Sequence, residues 1–146
     1  MKLLLDTHAL LWWWTEPERI PVALLEKLSA PETEILASAV TAYELTYKHR
    51  LGKLDLPEDL LSGFAEALAA ERWTALPVTL AHSLLAGRLA SDHRDPFDRL
   101  LAAQSLIEQA ALVTVDPAFA DFEGLQTVWS APANTNDPVP WQKTSG

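Results

Sequence analysis

The stretch that most constrains this chain is His93–Asp116, HRDPFDRLLAAQSLIEQAALVTVD. Asp95 reads as a helix N-cap, with Pro96 at the first helical position and Asp98 at the third. Leu100, Leu101, Ala103, Leu106, Ile107 and Ala110 then recur with a helical period. At Ala111–Val115 the pattern becomes a short β-branched run, a buried strand that stops at Asp116. In open parallel sheets, strand carboxyl ends and helix amino ends share the rim where ligands bind. Asp95, Asp98 and Asp116 are thereby expected to meet.

The same grammar runs through the rest of the chain. Lys2–Leu5 is an apolar run ending at Asp6, followed by a helix over Thr7–Trp14. Trp12, Trp13 and Trp14 cannot all face one core, so at least one should be exposed or at an interface. A short helix is expected over Val22–Ser29, then a strand over Ile35–Ala39. Thr41 and Glu44 stand at capping-box spacing, which predicts a helix from Thr41 to about Arg50, ended by Gly52. One helix over Glu58–Glu71, a strand over Trp73–Val78 and a helix from the N-cap Thr79 to about Ala90 follow. A turn at Asp121–Gly124 leads to a last strand, Leu125–Trp129. Strands alternating with helices imply an α/β fold with a mainly parallel sheet.

Residues 1–129 thus read as one domain, and Ser130–Gly146 as a disordered C-terminal tail. That tail carries three prolines and no apolar period, and its Trp141 reads as accidental exposure. With 146 residues, 49% of them hydrophobic, the chain can bury a full core. Cysteine is absent, which excludes disulfides and thiolate metal sites. No apolar run reaches membrane-spanning length, and a cytoplasmic protein is expected. The net charge of −9 counts against a nucleic-acid partner unless cations neutralise part of it. The bases gather at Lys48, Arg50 and Lys53, and again at Arg94 and Arg99.

Singly, each acid has a structural explanation. Asp95 can cap a helix, Glu44 and Asp98 can complete capping boxes, and Asp6 and Asp116 can turn the chain. Jointly they fall on one rim, where uncompensated carboxylates repel one another. A divalent cation removes that conflict, and the all-oxygen set points to Mg²⁺ or Mn²⁺. Metal-assisted attack of water on a phosphodiester is the chemistry that fits.

LLDTHALLW, SAVTAYEL, HRDPFDRLLAAQS and LVTVD, in this order and context, resemble the PIN-domain ribonucleases, in particular their VapC toxin branch. The likeness spans about Met1–Trp129. It implies a three-layer α/β sandwich with a five-stranded, mainly parallel sheet, and a Mg²⁺- or Mn²⁺-dependent endoribonuclease. Asp6, Glu44, Asp98 and Asp116 match the family's acidic quartet, and Asp95 the extra acid of the HRDPFDR variant. The resemblance further implies a homodimer held by a small VapB-like antitoxin that blocks the site. Val115 stands where members often carry a basic residue.

Thr7 and Thr114 flank candidate ligands and could hydrogen-bond a carboxylate or a bound water. His8 and His93 could touch a phosphate, although a hydrogen-bonded structural histidine is the commoner case. Lys48 and Arg50 could line an RNA groove, and Arg99 could contact RNA or pair with an acid. The rival folds fit less well. A haloacid-dehalogenase-type phosphotransferase would want an acid at His8, and a receiver domain a Lys near the last strand. A PIN-like module that binds RNA or a protein without turnover is the non-enzymatic alternative.

Overall fold

Leu3, Leu4 and Leu5 have no solvent exposure, because the strand they form, β1 (Lys2–Leu5), lies at the centre of a five-stranded sheet. The computed structural model describes residues 1–129, so the expected tail and Trp141 lie outside the described residues. The other strands are β2 (Glu34–Ser38), β3 (Thr74–Leu76), β4 (Ala111–Val113) and β5 (Thr127–Val128). Their spatial order is β3-β2-β1-β4-β5, and every pairing is parallel. The order reverses between β1 and β4, which opens a crevice at the carboxyl ends of those two strands.

Among the described residues seven α-helices cover the sheet: α1 (Thr7–Thr15), α2 (Val22–Ser29), α3 (Ala39–Arg50), α4 (Glu58–Ser62), α5 (Phe64–Ala70), α6 (Leu80–Arg88) and α7 (Pro96–Glu108). Strand alternation separates two cores. Leu3, Leu5, Ile35, Ala37 and Val113 face one layer with Leu10 of α1, Leu24 of α2 and Leu68 of α5. Leu4, Leu36 and Leu112 face the other with Leu101 and Ala102 of α7 and with Phe119 and Phe122. Among the described residues no helix is long and apolar enough to cross a membrane.

Several boundaries differ from the expected ones, β2 running Glu34–Ser38 for Ile35–Ala39 and β3 only Thr74–Leu76 for Trp73–Val78. The helix expected from Thr41 starts at Ala39, because Ser38 ends β2 and its hydroxyl accepts from the Val40 N–H at 3.0 Å. Thr41 is therefore fully buried inside α3, and Glu44 sits in its second turn, not its first. The single helix expected over Glu58–Glu71 is two, broken at Gly63, whose φ of −104° and ψ of 26° leave the helical region. The strand expected over Ala111–Val115 stops at Val113, and a 3₁₀ turn over Pro117–Asp121 follows Asp116. The last strand holds only Thr127 and Val128.

None of the three consecutive tryptophans is left bare. Each is half-buried: Trp12 packs edge-on against Trp129, and Trp13 and Trp14 pack against Trp73, with Phe64 also against Trp14. Aromatic partners arriving from both flanks of α1 resolve the crowding that the sequence implied.

Candidate active site

The crevice between β1 and β4 receives its acids directly from the topology. The Asp6 N–H donates to the Val113 carbonyl at 3.0 Å, which ties the end of β1 to the end of β4. Asp6 caps α1, its Oδ1 accepting from the Ala9 N–H at 2.7 Å. Asp116 caps the 3₁₀ turn in the same way, accepting from the Ala118 N–H at 3.0 Å. Between them stands Thr114. Its hydroxyl accepts from the Asp116 N–H at 3.0 Å and faces the Asp6 carboxylate, whose charged form it favours.

α7 and α3 bring the remaining acids to this rim. Asp95 caps α7, its Oδ1 accepting from the N–H groups of Phe97 and Asp98 at 2.9 and 3.2 Å. Asp98, one turn in, is held by His93 Nε2 at 2.8 Å. Glu44 is buried, and both its oxygens are engaged. Oε1 accepts from the Thr7 hydroxyl at 2.6 Å, and Oε2 pairs with the Lys48 ammonium. Thr41, which the sequence presented only as a cap, lies 3.4 Å from the Thr7 hydroxyl and completes that buried group.

The electrostatics follow from this crowding. Burial pushes the Asp6 carboxyl up to about 7, although Thr114 and the Ala9 N–H favour its charged form; Asp98 and Asp116 push it further in the same upward direction. Burial also raises Asp98. The His93 hydrogen bond opposes that rise, while the charges of Asp95 and Glu44 add to it. All five acids are thus within electrostatic reach of a neighbour across the rim. The site holds more negative charge than its burial favours.

That donor set suits a hard divalent cation: it is all oxygen, and a cation would reverse the burial penalty on Asp6. The side chains do not yet converge. Among the described residues, no three His, Asp or Glu side chains are gathered closely enough to enclose an ion. Glu44 is held by Lys48 and Thr7, and Asp98 by His93.

The expected substrate contacts divide. Thr7 hydrogen-bonds the Glu44 carboxylate, and the Thr114 hydroxyl takes the Asp116 N–H. Lys48 lies at the site but is paired with Glu44. Exposed His8 rests its ring against Trp12, centroids 5.7 Å apart, and makes no contact with the acids. Arg99 is committed elsewhere. Its guanidinium donates to the carbonyls of Leu89, His93, Ser91 and Ala86 at 2.6, 2.8, 2.9 and 3.0 Å, clamping the loop that precedes α7. Arg50 lies over the Tyr47 ring, 5.5 Å from its centroid. Tyr43 and Tyr47, four residues apart on α3, pack edge-on with ring centroids 6.1 Å apart.

A sequence profile described as PIN domain matches residues 3–125. Ribonuclease VapC22 of Mycobacterium tuberculosis is 27% identical over 114 residues, covering 78% of this chain and 86% of its own. The fold is similar to that of VapBC2 from Rickettsia felis bound to a DNA fragment from their promoter. There the TM-score is 0.69 at 20% identity, with 89% of this chain and 100% of the other covered. It is also similar to a toxin-antitoxin complex from Klebsiella pneumoniae, with a TM-score of 0.59, 15% identity and coverages of 88% and 99%.

Proposed function

Because the chain belongs to the PIN-domain family, we propose that it is a metal-dependent endoribonuclease and the toxin of a toxin–antitoxin pair. The observation that carries this reading is Asp6. It is a buried carboxylate at the strand-order reversal, raised to about 7 with Asp98 and Asp116 beside it. A fold tolerates such a cluster when a cation is its working partner. Similarity to a protein named as a ribonuclease and to a structure named as a toxin-antitoxin complex supports the substrate and the partner.

Asp6, Glu44, Asp98 and Asp116 would hold Mg²⁺ or Mn²⁺, with Asp95 at the edge of the group. Bound there, the ion would activate water, orient the phosphodiester and offset charge on the leaving oxygen. The chain's own residues aim the ligands. Thr7 and Lys48 fix the two oxygens of Glu44, His93 orients Asp98, and Thr114 takes the Asp116 N–H while facing Asp6. Lys48, with the exposed Arg50 and Lys53, places positive charge beside the acids, where an RNA backbone would run.

A homodimer inhibited by a small antitoxin belongs to the same reading. The concentrated negative charge is a natural target for an arginine of that partner, whose planar fork can bridge two carboxylates. The chain freed of any inhibitor should cleave single-stranded RNA with Mg²⁺ or Mn²⁺ and stop in excess chelator. Full-rate cleavage in chelator would remove the metal from the mechanism, and no cleavage of any RNA would remove the enzyme.

A further inference from the structure

Two of the site carboxylates follow an aromatic residue directly: Tyr43 precedes Glu44, and Phe97 precedes Asp98. Neighbouring helical positions diverge by about 100°, so as Glu44 turns toward the rim Tyr43 turns outward, while Phe97 stays half-buried against the core and backs the exposed rings. The three rings meet. Tyr43 and Tyr47 lie one turn apart on α3 with centroids 6.1 Å apart, and Phe97 at the start of α7 lies 5.4 and 6.4 Å from them. Tyr43 is 62% exposed and Tyr47 39%, so the faces of two large rings are left to solvent beside the buried Glu44. The Arg50 guanidinium covers part of Tyr47, and Tyr43, Thr46, Tyr47 and Arg50 line a shallow depression of about 440 Å³.

We infer that Tyr43 and Tyr47, backed by Phe97 and joined by Arg50, form a stacking platform for unpaired bases of an RNA strand whose phosphate lies at the acids. The inference rests on the ribonuclease reading and extends it to how the strand is held. Aromatic rings beside a cationic groove are what single-stranded nucleic acid needs, since every base has a face to stack. The charge around the platform favours RNA over a second copy of this chain. Lys48, His49 and Arg50 fill the last turn of α3 and the exposed Lys53 follows, the densest basic run in a chain of net charge −9. A two-fold self-contact here would set these bases against their own symmetry mates, whereas a phosphate backbone takes them up. Stacking of this kind is tolerant of base identity, so the platform places the strand without choosing its sequence.

The test uses a short single-stranded oligoribonucleotide carrying 2-aminopurine. It is titrated with Mg²⁺ into the full chain bearing Asp98→Asn, so that the probe stays intact. Binding should quench the fluorescent base. Tyr43→Leu and Tyr47→Leu should each weaken binding by about fivefold or more and lose the quench, while Tyr43→Trp keeps both. In the chain without Asp98→Asn, Tyr43→Leu should raise KM more than it lowers kcat. Thermal melts and sedimentation of each variant accompany the titrations. If the chain cleaves RNA yet the Leu variants bind and quench as before, the platform is overturned and the ribonuclease reading stands. If the Leu variants instead lose self-association with RNA affinity intact, the surface belongs to a second copy. A chain that neither binds nor cleaves RNA overturns both readings.

Discussion

The Thr7 hydroxyl donates a 2.6 Å hydrogen bond to Glu44 Oε1, joining the residue that follows Asp6 to the second turn of α3. Both residues are buried, so the contact aims a carboxylate that water does not steer. With Lys48 on the other oxygen, Glu44 is held on two sides before any ligand arrives.

Thr7→Val keeps the shape and removes the donor. Leaving a buried carboxylate oxygen without its partner should cost about 1–3 kcal/mol. Misaiming Glu44 should slow RNA cleavage by about tenfold or more, with Thr7→Ser retaining most of the rate. Equal melting temperatures and equal rates for Thr7→Val and the parent would show that this bond positions nothing.

The raised carboxyl of Asp6 makes stability depend on pH. Its folded value is about 7 against an ordinary 3.8, so between those values the folded chain holds a proton that the unfolded chain has released. Without cation the resulting penalty is absent below the lower value, grows as pH rises, and is complete above about 7. At full size it is on the order of 4 kcal/mol. Asp6→Asn keeps an oxygen to accept from Ala9 and removes the charge. Its stabilising effect in chelator should therefore be larger near about pH 8 than near about pH 5. Urea melts that show no such widening would place the buried charge elsewhere.

Cation binding should appear as stability as well as activity. Mn²⁺ at about a hundred times its dissociation constant should add about 2.7 kcal/mol to the unfolding free energy. Asp116→Asn should lose most of that increment. A metal-dependent shift that survives both Asp6→Asn and Asp116→Asn would mean that the ion binds outside the crevice.

Arg99 is expected to matter for stability before it matters for RNA. Lysine cannot span four carbonyls from a single nitrogen, so Arg99→Lys should cost about 3 kcal/mol. The loop from Leu89 to Asp95 should become open to proteases, and Asp98 should lose its His93 partner. An Arg99→Lys chain with parental stability and protease resistance would contradict the clamp.

Much of this molecule was written locally. Three consecutive leucines before Asp6, Pro96 after Asp95 and Thr79 three residues before His82 each act within one turn or one strand. Period and capping therefore reveal β1, α7 and α6 without the rest of the chain. The acids at strand ends and helix starts were legible for the same reason, since a parallel α/β pattern sends them all to one rim. The start of α3 was not. Ser38 and Thr41 both offered a cap, and burial of Val40 and Thr41 against the sheet decided between them. Nor could the sequence assign partners across long separations. Arg99 on the loop carbonyls instead of an acid or RNA, Thr7 on Glu44, and Phe97 against Tyr43 and Tyr47 all depend on where α3 and α7 settle. Periodicity depends on a residue's neighbours in the chain, so the sequence alone determined which elements form and which of their ends carry charge. Side-chain partnership depends on distances set by the packing of whole layers, so only the tertiary structure decided what each charge and each exposed ring can touch.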